Sequence, residues 1–139
     1  MKRIRNWNVE LADWAQTQIG RPFVWGKTDC GTLVREGLEL VFGQPVLEGV
    51  PSYSSETEAA LAMQELGSAG SYFESLDLEL VNAPRGRSSD VVVRPGRDDN
   101  IPRLGLFVSP TAVLTSDPVH GPHAVAHLEL RKRARFYRL

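Results

Sequence analysis

Apolar residues recur at helical spacing in the first third of the chain. Intervals of three and four residues align one group along a single face: Trp7, Leu11, Trp14 and Ala15. This spacing predicts a first helix over residues 8–19, which Gly20 ends. A second group follows at the same spacing: Leu33, Val34, Leu38 and Val41. It predicts a second helix that begins at Cys30 and ends near Phe42, before Gly43.

A third helix is predicted from a capping pattern. Ser55 is followed three residues later by Glu58, the arrangement in which each side chain bonds the other residue's backbone N–H. The apolar positions behind this cap are Ala59, Ala62, Met63 and Leu66. Gly67 closes the helix, and a weaker amphipathic segment over residues 69–76 predicts a fourth.

The hydrophobic period changes after Pro84. Short β-branched runs then alternate with Pro, Gly and Asp, which predicts strands of one antiparallel sheet. The runs are Asp90 to Val93, Leu104 to Val108, Ala112 to Leu114 and Ala124 to Leu130. Residues 135–139 are expected to add a strand at the edge. Helices followed by a strand meander indicate an α+β fold with the helices packed on one side of a small sheet, and residues 1–139 are expected to form a single domain.

Charge and cysteine content restrict the class of protein. Sixteen basic and seventeen acidic residues give a net charge of -1, which argues against a nucleic-acid partner or a broad membrane footprint. The basic cluster near the end of the chain is interpreted as a solvated strand end or a protein contact: Arg131, Lys132, Arg133, Arg135 and Arg138. One cysteine excludes an internal disulfide. No signal peptide or membrane span is recognisable, so we expect synthesis in the cytoplasm without membrane insertion.

Cys30 is the candidate nucleophile. It lies in the first turn of the second helix, where Asp29 or Thr28 can serve as the N-cap. Unpaired N–H groups and the positive end of the helix dipole are expected to favour its thiolate. The alternative is a small buried apolar side chain, the commonest role of a free cysteine.

The sequence around Cys30 resembles the nucleophile motif of the NlpC/p60 superfamily, papain-like cysteine peptidases and amidases that cut peptidoglycan stem peptides. Pro22 to Gly26 and Asp29 to Gly31 carry this resemblance. Ser89 to Val93 resembles the family's first strand, and Leu104 to Val108 its second. Phage tail-gene relatives are more similar still, since they also have a Tyr-containing segment with a capped helix, here Tyr53 to Gly67. The resemblance implies a papain-like NlpC/p60-type fold.

In active members a histidine at the start of the second strand takes the cysteine proton, and a polar residue on the next strand orients it. The resemblance puts Arg103 in the histidine position and Ser116 in the third position. A guanidinium has no acceptor lone pair, so Arg103 cannot act as a general base. The expectation is therefore a degenerate catalytic site.

Three histidines occur late in the chain, and one of them would have to replace the missing base. His123 borders a predicted strand and is the candidate substitute, with His120 in a Gly-Pro loop behind it. If Ala124 and the residues in step with it face the core, His127 faces solvent. No metal is expected, since neither a second cysteine nor a carboxylate pair completes a zinc set. No cofactor is expected either, because phosphate loops and dinucleotide fingerprints are absent from the sequence.

Two functions of different classes follow. In the first, the chain is a phage tail-tip component whose hydrolase machinery has decayed, carried in the virion tail and contacting other tail-tip or hub proteins. In the second, it is an active cysteine peptidase or amidase with peptidoglycan as substrate and Cys30 as nucleophile. A weaker third hypothesis is a module that binds a peptide or glycan in the old cleft, with Phe23 and Trp25 as stacking platforms.

Overall fold

A computed structural model describes residues 2–76, 78–81, 87–96, 101–126 and 134–139. It has an α+β architecture in which four helices precede all six strands of an antiparallel sheet. The helices are α1 (Trp7–Gln18), α2 (Cys30–Phe42), α3 (Glu56–Leu66) and α4 (Ala69–Ser75). The strands are β1 (Glu79–Val81), β2 (Val91–Arg94), β3 (Arg103–Phe107), β4 (Ala112–Asp117), β5 (Gly121–Ala126) and β6 (Arg135–Arg138). No helix in these ranges has the length and apolar character needed to cross a membrane.

The helix predictions are confirmed, with one difference in capping. Ser55 accepts the Glu58 N–H at 3.1 Å, as expected at an N-cap. The carboxylate of Glu58 instead accepts from the N–H and hydroxyl of Ser54, so the reciprocal half of the predicted box is wrong.

The strand order is β1-β6-β2-β3-β4-β5, which corrects one prediction and adds a strand that was not predicted. β6 was expected at an edge, but it lies between β1 and β2. The edge strand β1 has only three residues and no alternating pattern, so the sequence did not indicate it. The places of β1 and β6 in the sheet are decided by pairing with segments that are distant in sequence. Local residue patterns carry no information on such pairing.

The main core lies between α2 and one face of the sheet. α1 packs on α2, and α2 packs on β3 and β4. Leu38 and Val41 of α2 are fully buried in this core, with Val91, Leu106 and Tyr137 on the strands. A separate buried cluster occupies the opposite sheet face: Val92, Phe107, Val113 and Phe136.

In β5, the face that the sequence analysis considered as core is the exposed one. Ala124 and Ala126 are exposed, whereas Val125 is partly buried against the second cluster. The alanine face is therefore not core. His127 and the rest of the predicted strand to Leu130 lie outside the described residues, as does Pro84, where the period changes.

Arg138 corrects the interpretation of the basic cluster. Its guanidinium donates to both carboxylate oxygens of Asp90, at 2.9 and 2.8 Å, and Asp90 is completely buried. This bidentate pair fastens β6 to the start of β2, which is a structural role within the chain. Arg135 is exposed, and residues 131–133 lie outside the described ranges.

Candidate functional site

The start of α2 is built around a buried carboxylate. Asp29 is the N-cap, and its side chain accepts the N–H of Thr32 at 3.2 Å and the N–H of Gly26 at 2.8 Å. The Thr32 hydroxyl adds a third bond at 2.6 Å. Thr28, the other candidate cap, instead bonds Pro22 and Val24 within the preceding loop. Asp29 therefore joins the loop to the helix and positions the residue that follows it.

Tyr53 packs onto this motif. Its hydroxyl donates to the Asp29 carboxylate. A Cβ atom at Gly31 would lie 2.8 Å from that hydroxyl, and one at Gly26 would lie 2.3 Å from the Tyr53 carbonyl oxygen. Gly26 also has a φ of +81°, which side chains other than glycine rarely adopt. The two glycines of the motif are thus required because Tyr53 approaches so closely.

The Cys30 thiol is not in the state expected from its helix position. Its Sγ accepts the backbone N–H of Leu104 at 3.3 Å. Burial, followed by the negative charge of Asp29, raises the pKa of the thiol from 9.0 to about 11, although the Leu104 N–H and the first amides of α2 act in the opposite direction. The predicted preference for thiolate is therefore wrong, because desolvation exceeds the effect of the helix N-terminus.

Leu104, near the start of β3, lies beside Cys30, and Arg103 directly precedes it in the strand. Side chains alternate along a strand, so Leu104 shares the helix-facing side with the core residue Leu106, and Arg103 shares the other side with Phe107. A Leu104 methyl lies 3.9 Å from where a Gly31 Cβ would be. Leucine offers no acceptor, so neither residue supplies a general base. Whether Arg103 replaces the family's histidine stays a prediction.

Arg103 is opposite Arg94 on the neighbouring strand. Partial burial and then the charge of Arg103 lower the pKa of Arg94. The two arginines give this end of the sheet a positive charge.

Ser116 is brought to the same place as Cys30. β3 and β4 pair with Leu106 opposite Leu114, and continuing this register puts Ser116 opposite Leu104 on the helix-facing side. The Ser116 hydroxyl is buried and has no hydrogen-bond partner among the described residues. No hydrogen bond joins Ser116 to a described imidazole, and the orienting role that the resemblance implies for it stays a prediction.

A cavity of about 690 Å³ connects these residues. Cys30, Arg103 and Ser116 line it, together with His120. Five aromatic side chains are also part of the lining: Phe23, Trp25, Tyr53, Tyr72 and Phe73. The volume is in the range of small-ligand sites.

Neither described imidazole hydrogen-bonds to Cys30. His120 Nδ1 lies 3.0 Å from Asp117, and His123 Nδ1 lies 2.7 Å from the carbonyl oxygen of Gly121. His123, the candidate substitute base, is not among the described residues that line the cavity. The structure thus brings Cys30, Arg103 and Ser116 together around one cavity, while His123 bonds elsewhere.

Residues 2–139 match a family described as a domain of unknown function, DUF6950. The chain belongs to the DUF6950 family. No curated protein matches the sequence.

Three residues of this DUF6950 site were not assigned a role from the sequence. Tyr53 fixes Asp29, Leu104 contacts the thiol, and Asp117 is bonded to His120. The glycines around Asp29 were a usable signal for Tyr53, because paired glycines in one motif indicate a close neighbour. To assign Leu104 a role, one would have to know which face of β3 its side chain occupies. The pattern of apolar residues does not reveal this at the end of a strand.

Proposed function

We propose that this DUF6950 chain is a catalytically inactive relative of NlpC/p60 peptidases that serves as a structural component of a phage tail tip. The state of Cys30 is the observation that carries the inactive part. Its thiol is bonded by Leu104 N–H, has a raised pKa and lacks a described imidazole partner.

The reaction of a papain-like enzyme needs a thiolate and a base that later returns the proton. With a pKa of about 11, roughly one Cys30 side chain in ten thousand is ionised at pH 7. An active cysteine of this kind has a pKa several units below that of a free thiol. The shift at Cys30 has the opposite sign, and the described residues place no imidazole in bonding contact with its thiol, which supports the inactive assignment.

The tail-tip part of the proposal rests on the sequence resemblance to phage tail-gene relatives. Its partners would be other tail-tip or hub proteins. The cavity could also hold a segment of peptidoglycan, which the chain would bind but not cleave.

Hydrolysis is the first test. Purified chain and its Cys30→Ala variant are incubated with peptidoglycan sacculi and with a synthetic stem peptide, beside an active NlpC/p60 enzyme as positive control. We expect no released product from either form. Cleavage by the wild type that is lost in Cys30→Ala would overturn the inactive assignment.

Assembly is the second test. The gene is deleted from the phage or prophage that encodes it and supplied in trans as wild type or Cys30→Ala. Infectivity should fall on deletion and return equally with both forms, and mass spectrometry should find the chain in purified virions. Virions that lack the chain, or rescue by the wild type alone, would refute the structural role.

A further inference from the structure

A second cluster of reactive side chains lies at the β4–β5 hairpin, with Asp117 at the end of β4, His120 in the turn and His123 in β5. One ligand atom each from Asp117, His120 and His123 lies within 4.8 Å of the other two. We propose that these three residues form a binding site for a divalent transition-metal ion, with Zn²⁺ as the probe. This proposal does not depend on the tail-tip function.

The carboxylate of this site is already held in place. Asp117 Oδ1 accepts the backbone N–H groups of Val119 at 2.9 Å and His120 at 2.8 Å. The hairpin also packs closely against the loop before α2, since a Cβ at Gly121 would lie 2.6 Å from the Arg21 carbonyl oxygen. Ion binding would therefore require little ordering of the backbone.

His120 is close to the geometry of a ligand. Its Nδ1 lies 3.0 and 3.1 Å from the two oxygens of Asp117. Two ligands of a tetrahedral zinc ion are about 3.3 Å apart, given bonds of about 2.0–2.1 Å. An ion could thus replace the proton between His120 and Asp117 with a movement of a few tenths of an ångström.

His123 supplies the third ligand in a defined tautomer. The Gly121 carbonyl only accepts, so His123 Nδ1, 2.7 Å away, carries the hydrogen. Its Nε2 then has the free lone pair. Metal-binding histidines are commonly oriented by such a bond from the other ring nitrogen to a carbonyl oxygen. The His120 and His123 rings are 5.3 Å apart between centroids, so both can reach one ion.

The ligand chemistry selects the ion. Two imidazoles and one carboxylate suit Zn²⁺, Co²⁺, Ni²⁺ or Cu²⁺, whereas Mg²⁺ and Ca²⁺ prefer oxygen ligands alone. Three protein ligands leave a fourth position for water or another small ligand. Since Asp117 and His120 also line the cavity, the ion would border it. Arg94 interacts electrostatically with Asp117 and opposes a bound cation, so the imidazoles must provide most of the affinity.

Calorimetric titration tests the site. Full-length, tag-free protein is stripped with a chelator and titrated with Zn²⁺ and, separately, with Mg²⁺. We expect one Zn²⁺ per chain, no heat from Mg²⁺, and at least about tenfold weaker Zn²⁺ binding in His120→Ala, His123→Ala and Asp117→Asn. Glu10→Gln, on the exposed face of α1, is the matched control and should bind like the wild type.

Circular dichroism of the metal-free variants checks that each is folded, which the exposure of His120 favours. Absence of Zn²⁺ binding, or binding unchanged in both histidine variants, would overturn the proposal. Co²⁺ provides a second readout, since nitrogen and oxygen ligands give visible ligand-field bands without a thiolate charge-transfer band. A thiolate band that disappears in Cys30→Ala would assign the ion to Cys30 and also reject the site.

Discussion

Alkylation of Cys30 gives the most direct test of the site chemistry. The chain has one cysteine, so every modified thiol reports on Cys30 alone. In the folded protein, burial and the Asp29 carboxylate raise its pKa to about 11. We therefore expect the rate of reaction with iodoacetamide to keep rising with pH well beyond the point where an ordinary thiol levels off.

The size of the effect follows from the shift from 9.0 to about 11. At pH 8 the thiolate fraction falls about a hundredfold, since each pKa unit is a factor of ten. A more basic thiolate is also more nucleophilic, which offsets about one power of ten of that loss. The net slowing is then only about tenfold, so the pH of the inflection is more informative than the rate at one pH.

The assay follows loss of free thiol by mass spectrometry from pH 6 to pH 10.5, with circular dichroism confirming the folded state at each pH. The same chain in guanidinium chloride is the reference, and its rate should show an inflection near pH 9 and approach a plateau about one pH unit higher. The folded protein should show no plateau over this range. An inflection at or below pH 8.5 in the folded protein would refute the reasoning and return Cys30 to the candidates for an active nucleophile.

The same shift predicts how stability changes with pH. Between pH 9 and pH 11 the unfolded chain releases the Cys30 proton while the folded chain keeps it. The unfolded state then binds fewer protons, so the free energy of unfolding falls as the pH rises through this window. Urea unfolding should show a steeper fall for the wild type than for Cys30→Ala, and parallel curves would contradict the raised pKa.

Three stability predictions follow from packing, each measured by urea unfolding. Gly20→Ala should cost about 1–2 kcal/mol from backbone strain alone, because its φ is +87° and nothing lies within 4 Å of a Cβ there; Gly26→Ala adds a clash with a carbonyl oxygen and should cost distinctly more, so equal losses would contradict the close packing of Tyr53. Arg138→Ala should cost about 3–5 kcal/mol, since it leaves a buried carboxylate without its ion-pair partner, and a loss below about 1 kcal/mol would show that the pair is not buried in solution. Ser116→Ala should be neutral or stabilising because the buried hydroxyl lacks a described partner; a clear loss would indicate a bond that this geometry lacks.

Local signals were sufficient for the helices. The bounds of α2, Asp29 as one of its two candidate caps, and the end of α3 at Gly67 all follow from residues within one turn of each position. Such signals are reliable because N-caps and left-handed C-terminal residues are satisfied by the backbone next to them.

Contacts between distant segments were not predictable in this way. The helix dipole at Cys30 is local, but the desolvation that exceeds it comes from packing that includes β3, more than seventy positions along the chain. The proximity of Asp117, His120 and His123 depends on the tight hairpin turn, whose geometry the Gly-Pro composition did not specify. The charge cluster was misread for the same reason, because Arg138 meets Asp90 only once β6 pairs with β2.

The central position of β6 determines when the sheet can form. β1 pairs with β6, so Val81 cannot form its strand pairing until Phe136 has been synthesised. During synthesis the helices and the β2–β5 meander leave the ribosome first, and β2 keeps one edge open until residues 135–138 follow. An open edge of this kind is prone to pair with another chain. Until β6 has paired, the folding chain therefore exposes an edge of β2 at which it could aggregate, and a chaperone that covers this edge would protect it.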